Sequence, residues 1–503
     1  MGPMIDLDVI LLVGAVVLII AILAARLGSG FGLPSLLLFL GLGMLLGTDG
    51  VGGIAFDDAD LAHAIGFAAL VLILAEGGLT TKWSEIRPVI GPALVLATLG
   101  IVVSVALMTA FGYYVLGLDL WVAVLLGAVV SPTDAAAVFS VLRHVPVPHR
   151  LRGMLEAESG LNDAPTVLLV TLASGLAAGH AAEGGPATIA VLAVLELVGG
   201  LVIGAVMGWI GVQFLRRVAL PSSGLYPLTT LGWAVLAYGV TSAAHASGFA
   251  AVYVCAVLLG NAQLPHRAAT RSFVEGIGWI AQIGLFVMLG LLATPSRVTL
   301  QAALVGGAAG LFLTFVARPL SVWICLRWFK IRLREQAFLS WAGLRGAVPI
   351  VLATVPLADG IENGLFFFDV VLVFVVVFTC LQAPTLPFLA RRLGLVDDAV
   401  ARDVEVEAAP LDQIAADLLQ VRVPAGSRLA GIEVGELRLP PNTVVSLIIR
   451  AAKPFNPAAG ERIKIGDELL IVSPTSTRQL AEDRLHELAR AGRLARWRRQ
   501  PST

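Results

Sequence analysis

For most of its length the chain alternates between long apolar runs and short polar breaks. A helix needs about 17–25 mostly apolar residues to cross a bilayer. Splitting the runs at polar, Gly or Pro breaks predicts thirteen membrane helices, over 4–25, 32–48, 61–80, 88–116, 119–143, 151–178, 187–215, 227–245, 248–262, 274–294, 299–328, 336–357 and 365–390. The first run is too long for a signal-peptide core and lacks a basic segment ahead of it, so it reads as a retained span.

After residue 393 the pattern changes. Residues 394–410 are charged, show no apolar period and are expected to be a linker. Residues 411–475 read as a small α+β domain on the inner side of the membrane. "LLQVRVP" alternates, "GIEVGEL" suits a short helix, and "TVVSLIIR" and "DELLIVS" suit strands, the last entered through the Gly466–Asp467 turn. A module this small is expected to dimerise. Residues 476–503 have helical spacing and a basic end, and read either as a solvated helix or as a membrane-surface contact through Trp497 and its arginines.

The loops carry the orientation. One alternating set holds Arg26, Lys82, Arg87, Arg143, Arg150, Arg152, Arg216, Arg217, Arg267, Arg271, Arg327, Lys330, Arg332, Arg334, Arg391 and Arg392, whereas the other holds only Arg297 and the acidic "FDDAD" and "ADGIENG". Cytoplasmic loops are enriched in Lys and Arg. The N-terminus is therefore expected outside and the C-terminus inside. Composition agrees: 57% of residues are hydrophobic and 14% charged, which excludes a purely soluble protein. The formal net charge of −1 offers no global basic field for nucleic acid. Cys255, Cys325 and Cys380 lie in apolar runs and read as small buried residues.

Charges inside spans are costly and mark ion or proton paths. Span six holds "EAESGLNDAP", with Glu156, Glu158, Ser159, Asn162, Asp163 and Pro165. Ser159 and Asp163 share one helical face; Glu158 and Asn162 share another, about 100° round. Pro165 frees a backbone carbonyl. The alternative is a span that begins near Asp163, with the acids as its cap. Span five holds "SPTDAAAVF", where a break would expose Thr133 and Asp134 to a protein-lined cavity. In water the same residues would be an N-cap with Pro at N1. Span twelve holds "WAGLRGAVP", interrupted by Gly343, Gly346 and Pro349 around the lone charge of Arg345. Taking spans one to six and eight to thirteen as two repeats, spans five and twelve correspond, and such paired interruptions point to a transporter's midplane site. Arg345 is expected to pair with Glu158, because burying either alone is costly; snorkelling to the inner surface is the alternative. Glu76, in "LILAEGGLT", suits a vestibule or an interface. His63, His180 and His245 sit near loop ends and read as polar boundary residues.

"SPTDAAAVFSVLR", "ESGLNDAPTVLLV" and "GLRGAVPIVLA" together resemble the monovalent cation:proton antiporter family in its bacterial NhaP-like branch, over about the first 390 residues. The resemblance implies an all-α polytopic membrane protein, with about thirteen transmembrane helices in inverted repeats, two of them discontinuous and crossed. It also implies a homodimer in the bacterial cytoplasmic membrane, with a dimer scaffold and a mobile core. By position, an alkali cation or a proton would occupy Asp163. Asn162 would brace the crossed helices, Asp134, Thr133 and Ser159 would line the site, and Glu76 would approach from the cytoplasmic side. Glu158 and Arg345 would form a structural pair. Asn162–Asp163, in place of two adjacent aspartates, implies exchange of one cation for one proton.

"VRVPAGSRLAGIEVGEL", "LPPNTVVSLIIR" and "IKIGDELLIVS" resemble the C-terminal half of regulator-of-potassium-conductance domains, also called TrkA-C. No Gly-rich nucleotide-binding half precedes it, so no NAD or ATP cofactor is implied. Some relatives bind cyclic di-AMP through this half across a dimer, and its presence favours potassium over sodium as cargo. Two other classes stay open from the residues. A ligand-gated potassium channel lacks a "TVGYG"-like filter here, and an intramembrane enzyme using Asp134 and Asp163 lacks a recognisable aspartate motif.

Overall fold

The computed structural model describes residues 7–31, 34–142, 145, 147–179, 186–396, 405–411, 416–474 and 476–492. Arg143, His180 and the basic tail around Trp497 lie outside the described residues.

The apolar runs become helices close to the expected bounds. They are α1 (Leu7–Phe31), α2 (Ser35–Leu46), α3 (Ala59–Thr80), α4 (Trp83–Tyr114), α5 (Leu120–Val130), α6 (Ala135–Leu142), α7 (His149–Ala177) and α8 (Pro186–Arg217). Then follow α9 (Leu225–Ala243), α10 (Gly248–Asn261), α11 (Arg267–Leu292), α12 (Leu300–Leu326), α13 (Leu333–Trp341), α14 (Ala347–Ala358) and α15 (Gly364–Arg392). Among the described residues, α3, α4, α11, α12, α15 and residues 191–217 of α8 are long and apolar enough to cross a membrane. The largest departure is the start of α11, at Arg267 rather than 274. The charged extension is helical because Arg271 and Glu275 pair one turn apart at 3.1 Å.

The helices pack as two bundles. The first contains α1–α3 and α8–α11, with α2 and α3 on α11 and α8 on α10; the second contains α4–α7 and α12–α15. Small residues set the close approaches. A Cβ on Gly290 of α11 would lie 2.7 Å from the Gly43 Cα of α2, so only glycine on both sides allows this crossing. The halves of the second bundle repeat each other. α4 contains a π-helical turn at Leu96–Gly100 and α12 one at Leu313–Ala317, and each helix is followed by an interrupted one. Ser321 of α12 donates to the Gly100 carbonyl of α4 at 2.8 Å, tying the two turns together.

The C-terminal unit is an antiparallel five-stranded sheet, in the order β1-β2-β5-β3-β4. The strands are β1 (Glu405–Leu411), β2 (Ala416–Arg422), β3 (Val444–Arg450), β4 (Lys453–Phe455) and β5 (Glu468–Pro474). The expected linker is therefore shorter than 394–410: residues 405–411 pair with β2, from Glu405↔Arg422 to Leu411↔Ala416. "EVEAAPL" shows little apolar alternation, but hydrogen bonding to β2 supplies what the side chains do not. A further helix, α16 (Arg478–Ala491), closes the sheet. It was expected to be solvated or membrane-bound, yet Ala481, Leu485, Leu488 and Ala489 are buried against Leu419, Ile448, Leu469 and Ile471. The apolar stripe at i, i+4, i+7 thus belongs to the domain core, and the domain extends past residue 475.

Arg450 ties the sheet's end. It grips fully buried Asp467 at 2.8 Å through two nitrogens, reaches Glu461 at 2.8 Å and stacks over Phe455. Burial pushes the Asp467 carboxyl up, but hydrogen bonds from Arg450 and the Lys464 N–H outweigh this and hold it below the ordinary carboxylate range. The stability gained is full above the unfolded carboxyl's pKa of about 3.9 and is lost as pH falls through the lower folded value. Arg450→Ala is expected to cost this domain about 2–3 kcal/mol at neutral pH, since it strands a buried carboxylate beside a half-exposed partner. Hydrogen exchange across residues 444–472 of the full chain measures this, and the difference from the parent should shrink below pH 4.

Candidate functional site

Two interrupted helices meet in the second bundle. α5 ends at Val130, "SPTD" is non-helical, and α6 restarts at residue 135. α13 ends at Trp341, "AGLRG" is extended or turned, and α14 restarts at residue 347. Proline and glycine break the helices as their chemistry dictates. The breaks cross each other, with the Asp134 N–H donating to the Leu344 carbonyl at 2.8 Å. Gly346 packs directly against the Asp134 carboxylate, and a Cβ there would occupy the same space.

Breaking a helix leaves backbone carbonyls without partners. Arg345 supplies them. It is 3% exposed, and its guanidinium donates to the Val130 carbonyl at 3.3 Å and to the Gly343 carbonyl. The Arg345 carbonyl in turn accepts from Thr379 at 2.8 Å. The charge therefore sits between the two C-terminal half-helix ends, where the helix dipole favours a cation.

The expected pair of Glu158 and Arg345 does not form. Glu158 pairs with Arg318 of α12, at 2.6 Å and 3.0 Å, with both side chains buried. Arg318 follows the π-helical turn of α12, and that extra residue aims it inward. Arg345 instead gives its Nε and Nη1 to carbonyls at the breaks, and its Nη2 has no acceptor among the described residues. Sequence reasoning passed over Arg318, although it is a charge in the interior of the run 299–328 and met the same criterion as Arg345.

The remaining expected residues partly converge. Thr133 accepts a hydrogen bond from the Asn162 amide at 3.0 Å, which ties α7 to the first break. Asp163 lies beside this link and within electrostatic range of Asp134. Asn162 is fully buried and Asp163 is 8% exposed, yet Asn162 Oδ1 and Asp163 Oδ1 have no donor among the described residues. Ser159 lies one turn before Asp163 on the same face. Glu76 is not at the crossing. It packs on α11, where a Cβ on Gly278 would lie 2.7 Å from its Cγ, and its electrostatic neighbours are Arg271, Glu275 and Glu156. It belongs to an acidic approach at the Lys/Arg-rich end of the helices.

The other flagged positions lie away from the crossing. His63 packs against Phe67 with the rings tilted and their centroids 4.2 Å apart, and His245 sits in a left-handed turn. Cys255 and Cys325 are buried, but Cys380 is exposed on α15, contrary to the expectation for all three. Its apolar surroundings in sequence mark a surface, since helices that face lipid are apolar there too.

The family model described as the transmembrane sodium/hydrogen exchanger matches residues 14–392, and that for the TrkA-C domain matches residues 418–486. The chain is 37% identical to the K(+)/H(+) antiporter NhaP of Alkalimonas amylolytica, over 82% of this chain and 71% of that protein. It is 31% identical to the K(+)/H(+) antiporter NhaP2 of Shewanella baltica, over 92% of this chain and 80% of that protein. The fold is similar to that of the sodium proton antiporter MjNhaP1 of Methanocaldococcus jannaschii, with a TM-score of 0.65 at 22% identity, covering 75% of this chain and 100% of that one.

The corrected pairing has a direct test. Glu158→Gln leaves Arg318 buried without its counter-charge and is expected to cost about 3–5 kcal/mol. Replacing both partners, as Glu158→Gln with Arg318→Met, should recover most of that loss, whereas adding Arg345→Met to Glu158→Gln should not. Thermal unfolding in detergent, followed by size-exclusion chromatography, separates the two outcomes.

Proposed function

Because the chain belongs to the transmembrane sodium/hydrogen exchanger family, we propose that it exchanges a monovalent cation for a proton by alternating access, with Asp163 as the shared binding group. The observation that carries this reading is the buried Asp163 carboxylate, one oxygen of which has no donor among the described residues, beside Asn162 and the crossed breaks. A buried anion with unfilled acceptor sites requires compensation. A proton supplies it covalently. A dehydrated alkali ion supplies it with help from hydroxyl and carbonyl oxygens, for which Thr133, Ser159 and Asp134 are the candidates.

Each occupant leaves the site neutral, so the loaded core can move through the low-dielectric barrier, while the empty carboxylate is held back by the cost of burying its charge. This coupling needs no movement of Arg345 or of the Glu158–Arg318 pair; they hold the half-helices in register. The neighbour of Asp163 is an uncharged amide, held by Thr133, which supports electroneutral exchange of one cation for one proton. Potassium is the proposed cargo, on the likeness to the K(+)/H(+) antiporters and on the TrkA-C module. That module is proposed to regulate exchange, with a cyclic dinucleotide such as cyclic di-AMP as the candidate effector. The Lys/Arg-rich helix ends are assigned to the cytoplasm and the N-terminus to the outside of the bacterial inner membrane. A homodimer through the first bundle completes the reading, consistent with the exposed apolar face of α8 that includes Val194, Val198, Val202 and Trp209.

Proton flux in proteoliposomes after addition of potassium, sodium or lithium tests the reading, with the full chain and with residues 405–503 removed. Asp163→Asn is expected to abolish cation-dependent flux, and cation-coupled proton movement by that variant would refute the assignment. Proton and cation compete for one group, so the apparent cation affinity of the parent should rise with pH, by up to about tenfold per unit where the proton dominates.

A further inference from the structure

α7 presents Glu156, Gly160 and Asp163 at i, i+4 and i+7, so the three lie on one face in a line from the Lys/Arg-rich end toward the crossing. The glycine in that line is covered. The Tyr253 ring, from α10 of the first bundle, packs so tightly on Gly160 that a Cβ there would overlap the ring. Gly160 lies three residues, about 4.5 Å of helix, before Asp163. The ring is itself 7% exposed.

The ring sits beside a hydrogen bond that joins the two bundles. Tyr253 lies next to Thr81, whose hydroxyl donates to Glu156 Oε1 at 3.0 Å. Asn261, on the last turn of α10, braces the corner. Its amide donates to the Thr81 carbonyl at 2.9 Å, and its Oδ1 accepts from the Trp83 N–H at 2.8 Å. Tyr253, Thr81 and Asn261 thus belong to the first bundle or its end, while Glu156 and Gly160 belong to the second. Beside the ring lies a largely apolar cavity of about 540 Å³, lined by Tyr253, Ala157, Leu161, Val257 and Trp209 among others. It gives an aromatic ring room to leave Gly160 while α7 and α10 stay packed.

We propose that Tyr253 closes the cytoplasmic path to Asp163, its ring sealing against Gly160 and the Thr81–Glu156 hydrogen bond latching the two bundles in that closed state. The inference rests on the exchange reading for its purpose, but the closure itself is a matter of access. Motion of the second bundle breaks the Thr81–Glu156 and Trp83–Asn261 hydrogen bonds across the boundary and slides Gly160 off the ring. Gating by a ring on a glycine uses no charge, so it does not compete with the site for the cation. It acts on which side the site faces.

The test measures access, not transport. In the full chain with Cys255, Cys325 and Cys380 replaced by serine, Ser159→Cys places a thiol on the guarded stretch of α7. Its labelling by a membrane-impermeant thiol reagent is timed in inside-out vesicles. Labelling is expected to be slow with native Tyr253 and with Tyr253→Phe, and at least about tenfold faster with Tyr253→Ala or with Gly160→Ala, which displaces the ring. Equal rates in all four overturn the proposal. A Tyr253→Phe rate as fast as that of Tyr253→Ala also overturns it, because the closure would then reside in the hydroxyl. Only preparations that elute as a single species are compared, and Tyr253→Leu stands in for Tyr253→Ala if the latter aggregates. If the labelling pattern holds while the parent chain, with native Ser159, shows no cation-coupled flux, the exchange reading falls and the closure stands; the converse removes the closure alone.

Discussion

A carboxylate oxygen without a donor, buried among apolar helices, is the constraint from which the rest of the structure follows. In water such an oxygen would be solvated; inside a bilayer protein it must be compensated or neutralised. The protein could have satisfied Asp163 from nearby amides and hydroxyls, since Asn162 and Thr133 lie beside it. Instead Asn162 directs its amide to Thr133, and Asn162 Oδ1 and Asp163 Oδ1 have no donor among the described residues.

Leaving acceptors open is stable only if everything around them is settled. Two interrupted helices bring carbonyl ends into the membrane, and Arg345 binds those ends on both interruptions. Glu158 and Arg318 settle each other's charge within the same bundle. The π-helical turns of α4 and α12 are part of this arrangement. An extra residue per turn shifts the side-chain register, and Arg318 stands directly after one of them, facing Glu158. The site therefore lies among buried charges that neighbouring groups hold, Glu158 by Arg318 and Arg345 by backbone carbonyls.

The sequence made the membrane spans, the two interruptions and the acidic stretch of α7 legible, because hydropathy, Gly/Pro breaks and misplaced charges are one-dimensional signals. What it hid were contacts that depend on which neighbour arrives first. Arg345 and Glu158 looked like partners because each was a charge needing an opposite. The choice was decided by the carbonyl ends that the breaks themselves create, and these have no letter in the sequence. Arg318 was visible and overlooked. Tyr253 was not visible as anything but an aromatic in an apolar run, and Gly160 looked like one glycine among many. In the small domain, β1 was hidden for a similar reason: its strand character comes from pairing with β2 rather than from its own alternation.

The division into two bundles places the chemistry and its control on different bodies. Asp163, Asn162, Thr133, Asp134 and Arg345 all belong to α5–α7 or to the α13–α14 break, so under the exchange proposed above they would move together and keep the site's geometry. Glu76 and Tyr253 belong to α3 and α10, on the other body. A residue on the second body can guard or attract, but it cannot be a permanent ligand without resisting the motion. That logic separates the expected site residues into two kinds. On that proposal, those bonded within the crossing would define what is bound, and those approaching from the other bundle would define when and from which side. Glu76, drawn into an acidic cluster with Glu156 and Glu275 instead of into the crossing, falls in the second kind on geometry alone.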